Sequence, residues 1–385
     1  MYEAQSPAQE SALRPHAERA ALAADFDDAR RSPQVFADFT FPLCTREILR
    51  QPVKQQTKDF IRTTAGAGLS AMGMTALRRW QQARDPRVTI LTYHGISARN
   101  FERHLQWVTA HYHIVSLAEA VQWVRGNYRD ESRRVVLTFD DGYKSFHHDL
   151  WPLLRKYGTP ATLFAVSHFV GTDQLLWWDL IDVMIARAKM RAVEVQGQRW
   201  KCDSGILVAH AKTLPEDDKL RWITELRTAL TIDLPRSGGT PFELCTWDEL
   251  RELAADPLVT IGGHTCTHPI LAQVSKHVAQ AEITEGQAIL QNNLQLPVNF
   301  FCYPNGRTTD FTAEHVKLVQ DAGFDCAVTT VENLCAKGSD SYRLPRKNVS
   351  GQFTTAALDC KLTGLWWKGG VIGISTTFLI AEKSC

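Results

Sequence analysis

The stretch RVVLTFDDG, residues 134–142, decides how the rest of the chain is read. Its first six residues show no polar–apolar alternation and are rich in β-branched and apolar types, the composition of a strand buried on both faces. It then runs without a spacer into Asp140-Asp141-Gly142. Two adjacent carboxylates after such a strand are costly, because like charges this close raise one pKa or demand a cation. The competing reading is a plain turn, since Asp-Gly is a common turn pair.

Upstream, VTILTY (88–93) is a buried strand ending at His94, and helical spacing follows through Phe101, Leu105 and Val108. HIVS (113–116) is a short strand, and Ser116 caps a helix through Val121 and Val124. Downstream, a helix through Leu150 and Leu154 stops at Gly158, and ATLFAV (161–166) is the next strand. The alternation lapses between about 172 and 246. That block holds helices over 175–188 and 217–230 and a hairpin over 193–202, and reads as an insertion covering one end of the domain. A capping box of Thr246 and Glu249 restarts the pattern. LVTIGG (258–263) then ends at His264, a long helix spans 274–294, and VNFFCYP (298–304) is a strand. A helix over 313–323, a strand CAVTT (326–330) and the segment YRLPRKNVS (342–350) complete the regular part.

Strands alternating with helices predict an α/β fold with a parallel sheet. No Gly-rich loop follows the first strand, so neither a dinucleotide fold nor a phosphate loop is supported. Polar residues gather instead at strand carboxyl ends: His94, Asp140, Asp141, His264 and Tyr303. In a barrel those ends share one face, where active sites form. The predicted architecture is a distorted (β/α) barrel of seven or eight strands over 86–350. An N-terminal extension (1–85) precedes it and a C-terminal tail (351–385) follows. The extension reads as a helical or partly disordered arm, or as untranslated if synthesis starts at Met72 or Met74.

Among 385 residues, 43 Lys plus Arg balance 42 Asp plus Glu, for a net charge of +1. That argues against nucleic-acid binding by bulk charge and against a polybasic membrane anchor. The nine cysteines are scattered, with no C-x-x-C, which speaks against a zinc ribbon or a disulfide scaffold. The N-terminus lacks a signal-peptide core and no stretch is long enough for a spanning helix, so the expected location is the cytoplasm, either free or peripheral at the inner face of the membrane. The apolar tail VIGISTTFLIA (371–381) reads as a last strand, a core turn, or a contact with membrane or partner. Oligomeric state is not specified by any of these features.

A second constellation is His264-Thr265-Cys266-Thr267-His268-Pro269. Histidines at i and i+4 on one helical turn are spaced for a single metal; otherwise they are two unrelated side chains. The preceding Gly262-Gly263 would let backbone approach a ligand. No Glu follows His264, so this is not the zinc-protease motif. One carboxylate and two imidazoles at strand ends make an open metal site, which leaves the other carboxylate of the Asp pair as a general base.

TFDDG (138–142) and H-T-x-T-H (264–268) resemble the first two motifs of the polysaccharide deacetylases, the NodB-homology group of carbohydrate esterases. FCYPNG (301–306) is similar to their third motif. LTYHGIS (91–97), WWDLI (177–181) and YRLPRKNV (342–349) resemble an exopolysaccharide-associated subgroup. The resemblance implies metal ligands Asp141, His264 and His268, the base Asp140, and an oxyanion donor in the Tyr303 N–H. It implies a divalent metal, usually zinc, with Co2+, Ni2+ or Fe2+ as alternatives. The substrate it implies is an N-acetylated polysaccharide or oligosaccharide precursor.

Two departures stand out. The family's late Leu-x-x-His acid is missing, and the last histidine, His315, falls on a helix. The subgroup pattern points to His94 as the acid. Phe301 replaces the usual arginine of the third motif, so Arg346, or else Arg343, is expected to orient Asp140. Trp177 and Trp178 form either a sugar-stacking platform or part of the core, and Trp178 and Tyr303 are the expected substrate contacts. Asp179 either contacts substrate or opens a helix. His147 and His148 are expected on a solvated face, Cys266 as a bystander and Cys302 in the core. Two other readings stand beside deacetylation: a 2-His-1-carboxylate iron enzyme, and a catalytically silent carbohydrate-binding protein.

Overall fold

The computed structural model describes residues 68–69, 72–82, 87–127, 133–233 and 235–365, which fall within one compact unit. Most of the expected extension and the apolar stretch 371–381 lie outside the described residues. None of the described helices is long and apolar enough to cross a membrane.

The apolar runs form the sheet. β1 (Val88–Tyr93), β3 (Arg134–Phe139) and β4 (Ala161–Ala165) are buried at every position, as their composition requires of central strands. With β2 (His113–Ile114), β7 (Val259–Gly263), β8 (Phe300–Cys302), β9 (Cys326–Val328) and β10 (Lys347–Asn348) they make one sheet of eight strands. Its path is β10-β1-β3-β4-β7-β8-β9, and every pairing in it is parallel. β2 pairs with the start of β3, on the edge that β4 takes further along. The predicted strand HIVS shrinks to two residues because only that stretch of edge is vacant. Leu344 then exchanges hydrogen bonds with Ala327 and Thr329 beside β9, three residues before Lys347 pairs with Leu91 of β1. The segment 341–348 thus joins the two ends of the path and curls the sheet into a distorted barrel.

Helices cover the outside: α2 (Ala98–His111), α3 (Leu117–Val124), α4 (Trp151–Tyr157), α8 (Trp247–Ala255), α9 (Lys276–Leu294) and α10 (Ala313–Asp321). Thr246 caps α8 in the predicted capping box, and Ser116, predicted as the cap of α3, forms a full capping box with Glu119 as well. Gly158 ends α4 in the left-handed conformation. A short α1 (Met74–Gln82) lies against α11 (Thr355–Thr363) through an Arg79–Asp359 ion pair and a Gln82 bond to the Thr363 carbonyl. Ala357, Leu358 and Leu362 of α11 are fully buried in the main core, so the domain runs beyond residue 350.

The block 172–246 is an insertion with its own core. α5 (Trp177–Arg187), the hairpin β5 (Ala192–Val195)–β6 (Gln198–Lys201), α6 (Ser204–Ala211) and α7 (Glu216–Ala229) enclose Ile181, Met184, Leu207, Trp222 and Leu226. Gln196 and Gly197 turn the hairpin, both at positive φ, which matches the strand twist.

Candidate active site

The carboxyl ends of β1, β3, β7 and β8 deliver His94, Asp140, Asp141, His264, His268 and Tyr303 to one cavity of about 330 Å³, with one wall built by the insertion. Seven non-glycine residues among those described have positive φ, and four of them, Asp141, Thr265, His268 and Asn305, sit in or beside this cavity. Each such residue costs on the order of 1 kcal/mol, a cost that folds concentrate at functional sites.

Asp141, His264 and His268 are buried and converge. The Nε2 atoms of the two histidines are 3.1 Å apart, and Asp141 Oδ1 lies 3.7 and 3.8 Å from them. A tetrahedral ion with bonds of about 2.0–2.1 Å separates its ligand atoms by about 3.3–3.4 Å. His264 Nδ1–H donates to the Cys302 carbonyl at 2.7 Å, so its Nε2 lone pair faces inward. Burial pushes His264 down to about 4 and His268 well below its usual value, which keeps both imidazoles neutral as ligation requires. The donor set and its spacing fit a divalent cation.

The loop carrying the histidines is braced from α9. Buried Glu282 accepts the backbone N–H groups of Cys266 (3.0 Å) and Thr267 (2.7 Å) and the Thr267 hydroxyl (2.6 Å). Thr265 Oγ1 accepts the His268 N–H at 2.9 Å. Gly286 lets α9 approach, since a Cβ there would lie 2.8 Å from the Thr265 carbonyl carbon. By contrast, Gly262 makes no room for a ligand. A Cβ there would meet the Phe164 ring at 2.4 Å, so core packing accounts for that glycine.

Asp140 is locked by Arg346. The fully buried guanidinium donates to Oδ1 and Oδ2 at 2.7 Å each, to Thr138 Oγ1 at 3.0 Å and to the Thr329 carbonyl at 2.9 Å. Burial alone would raise the Asp140 carboxyl, but the Arg346 charge outweighs it and holds the group well below the usual carboxylate range. Arg343 instead faces Asp340 at the half-exposed surface. His94 Nε2 stands 3.6 Å from Asp140 Oδ2, with its side chain 45% exposed at the cavity mouth.

Tyr303 departs from expectation. Its N–H donates to the Val328 carbonyl at 3.2 Å, as the β8–β9 ladder demands, and its hydroxyl donates to the Tyr342 carbonyl at 3.1 Å. Its ring stacks on Phe311. Both polar groups of Tyr303 are therefore used structurally. Asn305, two residues on and left-handed, lines the cavity with a backbone N–H that has no acceptor among the described residues.

Trp178 lines the cavity, with its ring 4.5 Å from that of His268 and its Nε1–H donating to the Tyr143 hydroxyl. Trp177 belongs to the insertion core, under the Lys219 ammonium. Asp179 is buried and accepts the Tyr143 hydroxyl at 2.6 Å, a positioning contact. His147 and His148 pair with Glu252 and Glu249 of α8. Cys266 is a buried bystander, but Cys302 is more than core: its Sγ lies 3.1 Å from Arg346 Nη2 and 4.0 Å from His264 Nε2. Sequence reasoning missed Glu282, Thr138, Tyr143, Lys212 and Asn305. Thr138 and Asn305 carried a signal, their places inside TFDDG and FCYPNG; the other three carried none.

The sequence model described as polysaccharide deacetylase matches residues 127–327, a span holding both motifs of the Asp-His-His cluster. The chain belongs to the polysaccharide deacetylase family. It is similar to the Bacillus subtilis protein YxkH, 22% identical over 281 residues that cover 70% of this chain and 75% of that protein. It is also similar to the poly-beta-1,6-N-acetyl-D-glucosamine N-deacetylase of Staphylococcus epidermidis, 20% identical over 259 residues covering 67% and 68%. The solved structure of IcaB from Ammonifex degensii has the same fold, with a TM-score of 0.50 at 18% identity over 73% of this polysaccharide deacetylase and 97% of IcaB.

Proposed function

We propose that this polysaccharide deacetylase is a metal-dependent hydrolase that removes N-acetyl groups from amino sugars of a polysaccharide or an oligosaccharide precursor. The observation that carries the reading is the pairing of an Asp-His-His cluster spaced for one cation with a neighbouring carboxylate held ionised by a buried arginine. Asp141, His264 and His268 would hold the divalent metal, which supplies a Lewis acid and lowers the pKa of water. Zinc suits the N,O donor set.

Asp140 takes the proton of the attacking water. Arg346 keeps that carboxylate unprotonated and aims it, so no hydroxyl need rotate before proton transfer. The Asn305 N–H, rather than that of Tyr303, donates to the oxygen on which negative charge develops, an interaction worth about 3 kcal/mol where it has been removed in other hydrolases. His94, at the mouth, hands a proton to the departing amine. Trp178 and Tyr303 shape the wall against which the sugar ring lies.

The test is acetate release from N-acetylglucosamine oligomers by zinc-loaded protein, with chelated protein and Asp140→Asn as controls, alongside elemental analysis of bound metal. Release that needs both metal and Asp140 is expected. Stoichiometric metal without release from any N-acetylated glycan would overturn the activity and keep the metal site. Failure to bind metal would overturn both.

A further inference from the structure

The wall that the insertion contributes carries a cation, Lys212, that forms no ion pair among the described residues, although Asp179 and Asp182 line the same cavity. Lys212 caps the C-terminus of α6, and its carbonyl accepts from Gln273 Nε2 at 2.8 Å, which ties the insertion to the segment just beyond the histidine loop. Its ammonium donates to Asn305 Oδ1 at 3.0 Å, a neutral partner. Among the described residues Lys212 makes no ion pair, although it lines the same cavity as Asp141 and His264. Burial and the charge of Arg307 push the ammonium below its usual pKa, and only the more distant Asp141 and Asp310 oppose that. A cation bound by the Asp-His-His cluster would draw on Asp141, leaving Lys212 still less compensated.

The contact also settles how the Asn305 amide is turned. An ammonium can only donate, so the amide oxygen must face Lys212 and the two amide N–H donors face away from it. Those donors meet no acceptor among the described residues. A half-buried ammonium without an ion pair, beside two unspent N–H donors, is a poor match for sugar hydroxyls alone and a good one for an oxyanion.

We propose that Lys212 and the Asn305 side chain form a subsite for an anionic substituent of the substrate, a carboxylate or a phosphate carried on or next to the N-acetylated sugar. This rests on the deacetylase reading and deepens it: the polymer or precursor is acidic, and the insertion selects it.

The test compares length-matched oligosaccharides on the zinc-loaded full chain. One is the neutral N-acetylglucosamine tetramer, and the other alternates N-acetylglucosamine with glucuronic acid. N-acetylglucosamine 1-phosphate against N-acetylglucosamine separates phosphate from carboxylate. We expect at least one acidic member to exceed its neutral counterpart tenfold or more in kcat/KM, through KM. That ratio should fall below twofold in Lys212→Met and persist in Lys212→Arg. A wild-type ratio near one for both pairs, which needs no variant, would overturn the proposal. So would a ratio unchanged in Lys212→Met. If no substrate releases acetate, the deacetylase reading fails by itself, and calorimetric binding of the same compounds decides the subsite. Tighter binding of an acidic compound by wild type than by Lys212→Met supports it, and equal binding overturns it.

Discussion

Replacing Arg346 by Met would leave Asp140 buried without a charged hydrogen-bond donor, with the Thr92 hydroxyl at 3.3 Å, His94 at 3.6 Å and the neutral His264 and Cys302 side chains nearby. Breaking one partner from a buried ion pair costs about 3–5 kcal/mol. The penalty has a ceiling set by protonating the orphaned carboxylate, about 1.4 kcal/mol per pH unit above roughly 3.9. That ceiling is about 5.6 kcal/mol at pH 8 and about 1.5 kcal/mol at pH 5. The sign follows from both proteins. In the wild type the depressed Asp140 pKa contributes stability above the unfolded value, and that contribution is lost only as pH falls well into the acid range. In Arg346→Met burial raises the same pKa, so the destabilisation is present at neutral pH and is relieved as pH falls. Urea unfolding of chelated protein, followed by the fluorescence of the eleven tryptophans, should show a gap of about 3–5 kcal/mol at pH 8. The gap should narrow towards pH 5, and adding Asp140→Asn should recover much of it. A gap below about 1 kcal/mol at pH 8, or one that widens on acidification, would refute the assignment of Arg346 as the counter-charge that matters.

Further outcomes follow from the same geometry. Glu282→Gln removes the charge that accepts two backbone N–H groups of the histidine loop; zinc affinity by competition with a chromophoric chelator should drop roughly 10–100-fold. Gly286→Ala drives a methyl group to 2.8 Å from the Thr265 backbone, so thermal unfolding should show a loss of about 1–3 kcal/mol, with weakened zinc binding in the same protein. Chelated wild type should lose stability as pH falls from about 6.5 towards 4, because the unfolded chain protonates His264 first; the His264 contribution is complete below that, while His268 and Asp140 extend the loss to lower pH. That loss is roughly 3 kcal/mol from His264 alone, and pH-resolved urea titration reads it.

The fold was legible because its signals are local. Uninterrupted apolar runs at 88–93, 134–139 and 161–166 predict buried parallel strands, and each is one. The cap at Ser116 and the capping box at Thr246 mark helix starts that tertiary contacts leave unchanged. The candidate metal ligands were legible for a related reason. Asp141 ends one strand and His264 another, and His268 follows His264 by four residues, so strand-end placement nearly specifies their meeting.

What the tertiary structure alone decided are pairings between distant residues. Arg346 rather than Arg343 meets Asp140 because 341–348 runs between β9 and β1, and the register there turns one arginine in and the other out. The Tyr303 N–H is lost to the site because β9 comes alongside β8, and no local pattern states which carbonyl a strand-end amide will find. Glu282 and Lys212 look like ordinary helix-surface residues in one dimension. They acquire their roles only where α9 and the insertion close over the ends of the strands, because a charged group's partners are set by whichever surfaces bury it.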